Sequence, residues 1–263
     1  PEVTKQSAPA KASKDAAASK VRLFWWSILF IVFFIFIYNK SIRVQPLAGS
    51  ETDAKTLVVL LLFVAGMLRL LIAPNVFGYP SDVLSFKAWS YDVATNGLSK
   101  FYAEGKLADY PPGYMFVLYI LGKISQAFNM GQDTGASRIL YKLPAMLADL
   151  VCTSLIYTTA RKYMTPVTAV AVASLYALNP AIILNSAAWG QVDSFFMLFI
   201  LLAISYLIQG KIPLSTVIFA LAVLIKPQAL MFGPLLLLVF IRIRRDIKTI
   251  AISVVAGLLV LLI

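Results

Sequence analysis

Polar side chains that could do chemistry lie in a short segment between two apolar runs. Residues 178–203 read LNPAIILNSAAWGQVDSFFMLFILLA, in which Trp189, Gln191 and Asp193 interrupt the apolar sequence. Carboxylate, amide and indole groups at membrane depth cost free energy unless they line a cavity or bind something. This polar corner indicates a functional site in a membrane enzyme or a transporter.

Three further charged residues are candidates for the same site. Lys226 lies in an apolar hairpin just before Pro227, where it either snorkels to the interface or contacts an anion. Arg69 lies about a turn from the end of an apolar run. Snorkelling to the interface explains this position at least as well as binding of an anion. Asp82 follows Pro80 and Ser81, so it either caps a helix or acts as an acid or base.

The composition is that of a polytopic membrane protein. Of the 263 residues, 60% are hydrophobic and the mean hydropathy is +0.83, which leaves too little polar surface for a soluble globule. The 23 Lys and Arg residues outnumber the 12 Asp and Glu residues. Many of these cations lie between apolar runs, as in Arg161-Lys162 and residues 242–248, so they orient spans and are weak evidence for nucleic acid.

The inventory of metal ligands and thiols is short. There is no histidine, so a metal ion would need oxygen ligands. No DxD pair is present, and we therefore expect a site without metal or cofactor. The single cysteine, Cys152, excludes an intrachain disulfide.

The apolar runs predict an all-α transmembrane bundle, because lipid-exposed open strands are not tolerated in a bilayer. Residues 1–20 form a polar tail and residues 21–55 an extra transmembrane helix, over 23–38, with its linker. The remainder, 56–263, is one membrane module, and we expect its carboxyl-terminal part to be missing. Its predicted spans are 56–73, 143–160, 167–184, 192–208, 213–225, 229–241 and 250–263.

The long loop 74–112 is too long to be a simple connection. Val83, Phe86, Trp89 and Val93 recur within it near the helical period, which predicts an amphipathic surface helix. The stretch 114–128 is only marginally long enough to cross and is either a second surface helix or a span. If the two basic clusters are cytoplasmic, Lys226 and the polar corner share the outer face, and Asp82 joins them only if 114–128 stays on the surface and 143–160 enters from outside.

Five motifs in sequence order resemble the landmarks of GT-C glycosyltransferases. They are GYPSD (78–82), DYPPGY (109–114), KLPAMLADL (142–150), NPAIILNSAAWGQVDS (179–194) and IKPQAL (225–230). The chain looks most like prokaryotic mannosyltransferases related to the second GPI mannosyltransferase. It is more distantly similar to glucosyltransferases that use dolichyl-phosphate-glucose.

The resemblance implies a seven-helix module and transfer of a hexose, of the mannose or glucose class, to an acceptor hydroxyl. The expected partners are a polyprenyl-phosphate sugar, a glycan, lipid or protein acceptor, and membrane lipid. It implies that Asp82, in the external loop, is the catalytic base. Lys226 and Arg69 would hold the donor phosphate, and the other expected substrate-binding residues are Asp109, Tyr110, Trp189, Gln191, Asp193 and Gln228.

Two other functions fit the same residues. A transporter or flippase of a lipid-linked anion could use Lys226, Arg69 and Asp193 as substrate or coupling sites, although transporters usually contain two related halves and no internal repeat is evident. A catalytically inactive scaffold module is the second alternative. Only the enzyme needs Asp82 as a proton acceptor.

Overall fold

Residues 24–39, 50–103, 108, 110–131, 133–242 and 246–262 are described by a computed structural model of the chain. Within these ranges every regular element is a helix, which confirms the predicted all-α fold. A π-helical segment, Leu184–Trp189, continues α8, and a 3-10 segment, Pro227–Phe232, precedes α11. The helices are α1 (Phe24–Ile37), α2 (Glu51–Ile72), α3 (Pro80–Asn96), α4 (Leu98–Ala103), α5 (Pro112–Ala127), α6 (Gly135–Ala160), α7 (Pro166–Ala177), α8 (Pro180–Ile183), α9 (Asp193–Ile208), α10 (Ile212–Ile225), α11 (Gly233–Arg242) and α12 (Ile247–Leu261).

The amino-terminal region is described only in part. The tail predicted for residues 1–20 lies outside the described residues. Helix α1 falls within the predicted span 23–38, and its Trp26 packs against a buried cluster that includes Ala73, Met146 and Ile183. The extra helix therefore packs against this cluster, whereas the division of the chain into tail, extra helix and module stays a prediction.

The helices follow the predicted apolar runs, but most are short for a membrane span. Among the described residues, α2 and α6 are long and apolar enough to cross, with 22 and 26 residues. A third span results if α7 and Pro180–Trp189 count as one span with a 48° bend. Among the shorter apolar helices, α9 has 16 residues. Its length is about 24 Å, which is less than the thickness of the hydrocarbon core, about 30 Å. Length and composition thus identify two or three of the seven predicted spans.

The bend between α7 and α8 follows from Asn179 and Pro180. Proline disfavours a helical conformation in the residue before it, and Asn179 is extended, with φ −63° and ψ 121°. The Asn179 side chain then accepts a hydrogen bond from the Ala181 N–H at 2.9 Å, which caps the new helix. The predicted span 167–184 is therefore two helices, and the second helix leads into the polar corner.

The membrane helices pack around α6. It contacts α2, α7 and α9, and α10 packs against α9 and α12. Ala54, Ala65, Ala173 and Ala177 are fully buried in one cluster between α2 and α7. Small side chains of this kind let helix backbones approach closely, which is the main source of packing energy between helices in lipid.

The helix predicted in the long loop is present as α3. Its Val83, Phe86 and Val93 are buried, and Trp89 packs against the cluster of buried residues that contains Phe86 and Val93. Helix α5 lies against α3 and contacts α10 and α6. The start of α3 is thereby held beside the ends of the membrane helices that carry the polar corner.

Candidate functional site

The chain enters α3 in direct contact with the polar corner. The Tyr79 N–H donates to the Trp189 carbonyl at 3.2 Å. A Cβ at Gly78 would lie 2.5 Å from that carbonyl oxygen, so only glycine permits this approach, and its φ of +104° favours glycine as well. The loop before α3 and the corner are therefore one packed unit.

Asp82 lies in the first turn of α3 but does not cap it. The N-cap residue is Tyr79, and Pro80 occupies the first turn, so of the two roles that the sequence left open for Asp82 the structure excludes the cap. The Asp82 Oδ2 atom instead accepts hydrogen bonds from the Trp189 Nε1–H, at 2.9 Å, and from the Gln191 amide nitrogen. Its position in the first turn also favours a negative charge there.

The corner is shaped by the π-helical segment Leu184–Trp189. Gly190 ends this segment in the left-handed region with φ +89°. The Asn185 carbonyl accepts the N–H groups of Gly190 and Gln191 at 3.1 and 3.0 Å. These bonds turn the chain toward α9 and direct the Trp189 and Gln191 side chains at Asp82.

Gln191 joins the carboxylate of Asp82 to a second charged group. Its Oε1 atom accepts from Lys226 Nζ at 3.3 Å and from the Tyr110 hydroxyl at 3.4 Å. Lys226 Nζ also donates to Asp193 Oδ1. We use the term corner network for the seven residues Asp82, Tyr110, Asn185, Trp189, Gln191, Asp193 and Lys226.

Lys226 occupies a break between helices. Helix α10 ends at Ile225, and Lys226 is extended, with φ −152° and ψ 122°, before the 3-10 segment begins at Pro227. Its side chain is 12% exposed, against 41% for Asp193. The ammonium also lies 5.7 Å from the ring centroid of Tyr110 and 5.9 Å from that of Phe196, distances at which a cation attracts an aromatic face.

Not every predicted site residue joins this network. Arg69 forms a buried ion pair with Asp149, with 2.8 Å between Nε and Oδ2, and it also donates to the carbonyl oxygens of Ala65 and Ala177. Being only 1% exposed, it does not snorkel outward. Gln228 is exposed in the 3-10 segment. Asp109 lies outside the described residues.

Two residues that the sequence did not single out contribute to the corner. Asn185 donates to Asp193 Oδ2 at 3.0 Å, so it fixes the carboxylate that pairs with Lys226. The Tyr79 ring packs on Trp189, with centroids 5.3 Å apart. Both residues lie inside motifs that the sequence presented, and Asn185 meets the same criterion as Gln191, namely a polar side chain between apolar runs.

Lys142 supports the site from beneath. It is 2% exposed, and its Nζ donates to the carbonyl oxygens of Ala73 and Val76 at 3.1 and 2.6 Å. A Cβ at Gly190 would lie 3.4 Å from Lys142 Cγ, so the lysine stem also packs under the corner. Lys142 thus holds the segment that leads into α3 and the corner in one place.

Two further cations, Lys87 and Arg138, lie near the segment that leads into α3. Arg138 donates to the Pro74 carbonyl at 3.0 Å and forms an ion pair with Asp133 at 2.8 Å. The pKa of Lys87 is lowered from its ordinary value, mainly by burial. The charge of Asp133 opposes this decrease, and the charge of Arg138 adds to it. Lys87 and Arg138 both lie over the Phe77 ring, at 5.4 and 5.6 Å.

The corner network brings together a carboxylate and an ammonium through one amide side chain. Asp82 Oδ2 holds two donors, whereas Oδ1 has one long contact among the described residues, 3.4 Å from Ser81 Oγ. A carboxylate oxygen with lone pairs left over in this way can accept a proton. No group of three or more Asp, Glu or Cys side chains in the described ranges could hold a metal ion.

The sequence profile of glycosyltransferase family 87 matches residues 109–263 of this chain. The match covers more than half of the chain, which therefore belongs to this family and is a membrane glycosyltransferase of the GT-C type. We found no match among curated proteins or solved structures. The matched range contains Trp189, Gln191, Asp193 and Lys226, and Asp82 precedes it.

Proposed function

We propose that this member of glycosyltransferase family 87 moves a hexose from a polyprenyl-phosphate sugar to an acceptor hydroxyl at the outer face of the cell membrane. The sugar is of the mannose or glucose class, and Asp82 is the general base. The observation that carries the proposal is the hydrogen-bonded link from Asp82 through Gln191 to Lys226. It unites in one site a group that can accept a proton and a group that can neutralise a phosphate.

The reaction is a single displacement. The acceptor oxygen attacks the anomeric carbon, its proton passes to Asp82 Oδ1, and the bond from that carbon to the phosphate oxygen breaks. Attack from the face opposite the phosphate inverts the anomeric configuration, as in inverting glycoside hydrolysis. The leaving polyprenyl phosphate is already a stable anion, so no general acid is needed.

Lys226 is suited to hold the departing phosphate. An ammonium has three N–H groups, and two of them are directed at Gln191 and Asp193 in this structure. The third remains for a phosphate oxygen. Because Lys226 is 12% exposed and flanked by Tyr110 and Phe196, its attraction for that oxygen is screened less than it would be in water.

We also propose that the chain crosses the membrane several times. Arg161 and Lys162 follow α6, at the opposite end from the α2–α3 segment that Lys142 and Arg138 hold. The positive-inside rule puts that basic end in the cytoplasm. The Asp82 and Lys226 end then faces outward, where lipid-linked sugars can be used.

Asp82→Asn tests the proposal directly. A positioned base typically contributes about 10²- to 10⁴-fold in rate, so the variant should lose most transfer from polyprenyl-phosphate-mannose or polyprenyl-phosphate-glucose, measured with purified full-length protein. Donor binding should be kept, because asparagine has the size of aspartate. The matched control is Asp92→Asn on the same helix, where Asp92 accepts from Asn96 at 2.7 Å. Equal transfer rates in the two variants would refute the role of Asp82.

A further inference from the structure

Two large aromatic side chains are exposed beside the proposed base. Tyr79 is 50% exposed and Trp189 is 47% exposed. Their rings pack at 5.3 Å with 42° between the planes, so each ring covers part of the other and leaves the rest of its surface open. Both belong to the packed unit formed by the start of α3 and the corner.

The orientation of this pair is fixed by hydrogen bonds. The Trp189 indole N–H donates to Asp82 Oδ2 at 2.9 Å, and the Tyr79 backbone N–H donates to the Trp189 carbonyl at 3.2 Å. Tryptophan and tyrosine at a membrane interface commonly serve as anchors that offer a polar group to water and lipid headgroups. The Trp189 N–H is turned instead toward the carboxylate, which distinguishes it from an anchor.

A pyranose ring matches this surface. The axial C–H groups of a sugar carry partial positive charge and cover one flat side of the ring, and the face of an aromatic ring is negative. A sugar stacked there presents its hydroxyl groups around its rim. Because the Asp82 carboxylate lies at the edge of the indole, a rim hydroxyl comes within reach of it.

We propose that Tyr79 and Trp189 form a stacking subsite for a pyranose ring, and that the acceptor of the transfer is therefore a carbohydrate. This inference rests on the proposed function, because it uses Asp82 as the base that must touch the acceptor hydroxyl. It selects the glycan among the glycan, lipid and protein acceptors. Tyr79 is the residue to vary, since Trp189 also contacts Asp82.

The test is saturation-transfer NMR on the full chain in phospholipid nanodiscs, without sugar-based detergent. Methyl α-mannopyranoside and methyl α-glucopyranoside are the probes, and sorbitol, a polyol without a ring, is the control ligand. The pyranoside ring C–H signals should receive saturation in the wild-type protein and in Tyr79→Phe. They should lose most of it in Tyr79→Leu, which keeps the apolar bulk and removes the ring. The matched control variant is Tyr91→Leu, because Tyr91 is 65% exposed on α3.

Each result decides the question. Loss of signal only in Tyr79→Leu, together with persistence of the pyranoside signal when a polyprenyl-phosphate-mannose analogue is added, supports an acceptor subsite. Displacement of the pyranoside by that analogue would assign the rings to the donor sugar and overturn the proposal. Equal signals in Tyr79→Leu and Tyr91→Leu, or no pyranoside signal in the wild type, would overturn it as well.

Failure of this subsite and failure of the proposed function give different results. If Tyr79→Leu binds pyranosides normally while Asp82→Asn abolishes transfer, the stacking subsite is wrong and the glycosyltransfer proposal stands. If pyranosides bind through Tyr79 but Asp82→Asn transfers sugar at the rate of the Asp92→Asn control, the rings bind sugar and Asp82 is not the base.

Discussion

Lys226 carries the positive charge of the corner network. It pairs with Asp193 and contacts Gln191, and the network holds two carboxylates, Asp82 and Asp193, for this one ammonium. Removing the lysine therefore does two things. In the proposed reaction it deletes the partner of the donor phosphate, and it leaves a carboxylate that would repel this phosphate.

Lys226→Met should weaken donor binding by about 1.5 to 3 kcal/mol, the usual range for a lost hydrogen bond to a charged group. The double variant Lys226→Met/Asp193→Asn should recover part of that loss, because it removes the repelling carboxylate. Lys226→Arg should rescue only partly, since a planar guanidinium does not replace a point charge. The measurement is calorimetric titration with a short-chain polyprenyl phosphate.

Lys211→Met is the control for Lys226. Lys211 stands at the other end of α10, and its ammonium lies 5.6 Å from the Tyr206 ring centroid. Its loss should leave the dissociation constant unchanged. If the Lys226→Met protein is folded and binds the phosphate as tightly as the Lys211→Met protein, Lys226 is not the phosphate ligand.

Most of the corner network could be predicted from residue type alone. Trp189, Gln191, Asp193 and Lys226 stand out because polar groups between apolar runs are costly, and the structure brings all four into contact with Asp82 or with each other. Arg69 met the same criterion yet pairs with Asp149. Sequence cannot separate these outcomes, because the partner of a buried charge is chosen by tertiary packing.

At the scale of elements, the π-helical segment is tied to the membrane helices by Ser186. Its hydroxyl oxygen lies 2.5 Å from Asp149 Oδ2 and 3.0 Å from the Ile182 carbonyl oxygen, and its one proton is directed at these two acceptors. Asp149 is fully buried on α6 and pairs with Arg69 of α2. This contact joins three elements behind the corner, so the shape of the corner depends on a buried ion pair.

Ser186→Ala should destabilise the protein by about 1 to 3 kcal/mol, because a buried carboxylate oxygen loses a donor. Ser154→Ala is the matched control, since among the described residues Ser154 donates only to the carbonyl four residues earlier, that of Leu150. Asp149→Leu should cost about 3 to 5 kcal/mol, as it leaves the Arg69 charge buried and uncompensated. Arg69→Met/Asp149→Leu should recover much of that loss.

The measurement is thermal unfolding of each variant in one detergent. Equal melting temperatures for Ser186→Ala and Ser154→Ala would show that the Asp149 contact does not hold the corner. Equal melting temperatures for Asp149→Leu and the double variant would show that the Arg69 charge is not what makes the loss costly.

For the whole molecule, the pattern of apolar runs predicted the helices better than it predicted their breaks. The run 167–184 splits at Asn179-Pro180, where the proline and its preceding residue disfavour continuing the helix. The amphipathic period of Val83, Phe86 and Val93 located α3 correctly. The partners of Asp82 could not be read from this period, because Trp189 and Gln191 are more than a hundred positions away in sequence.

The side of the membrane that each loop faces is a property of the whole chain. We expect Ser81 and Gln228 on the outer face and Tyr163 and Gln209 on the cytoplasmic face, because Arg161 and Lys162 precede Tyr163 and Lys211 follows Gln209. All four positions are exposed, so each can carry a reporter cysteine. Ser186 is fully buried and is unsuitable.

The experiment uses single cysteines at these four positions in a Cys152→Ala background, with a membrane-impermeant maleimide applied to right-side-out vesicles. Cysteines at 81 and 228 should react at once, whereas those at 163 and 209 should react only after permeabilisation. Cys152 itself is fully buried, so the unaltered chain is a control that should stay unlabelled. The hydrogen bonds from the corner to Asp82 require that 81 and 228 behave alike. Labelling of 163 together with 81 in intact vesicles would mean that α6 does not cross the membrane and that the proposed outer-face site is wrong.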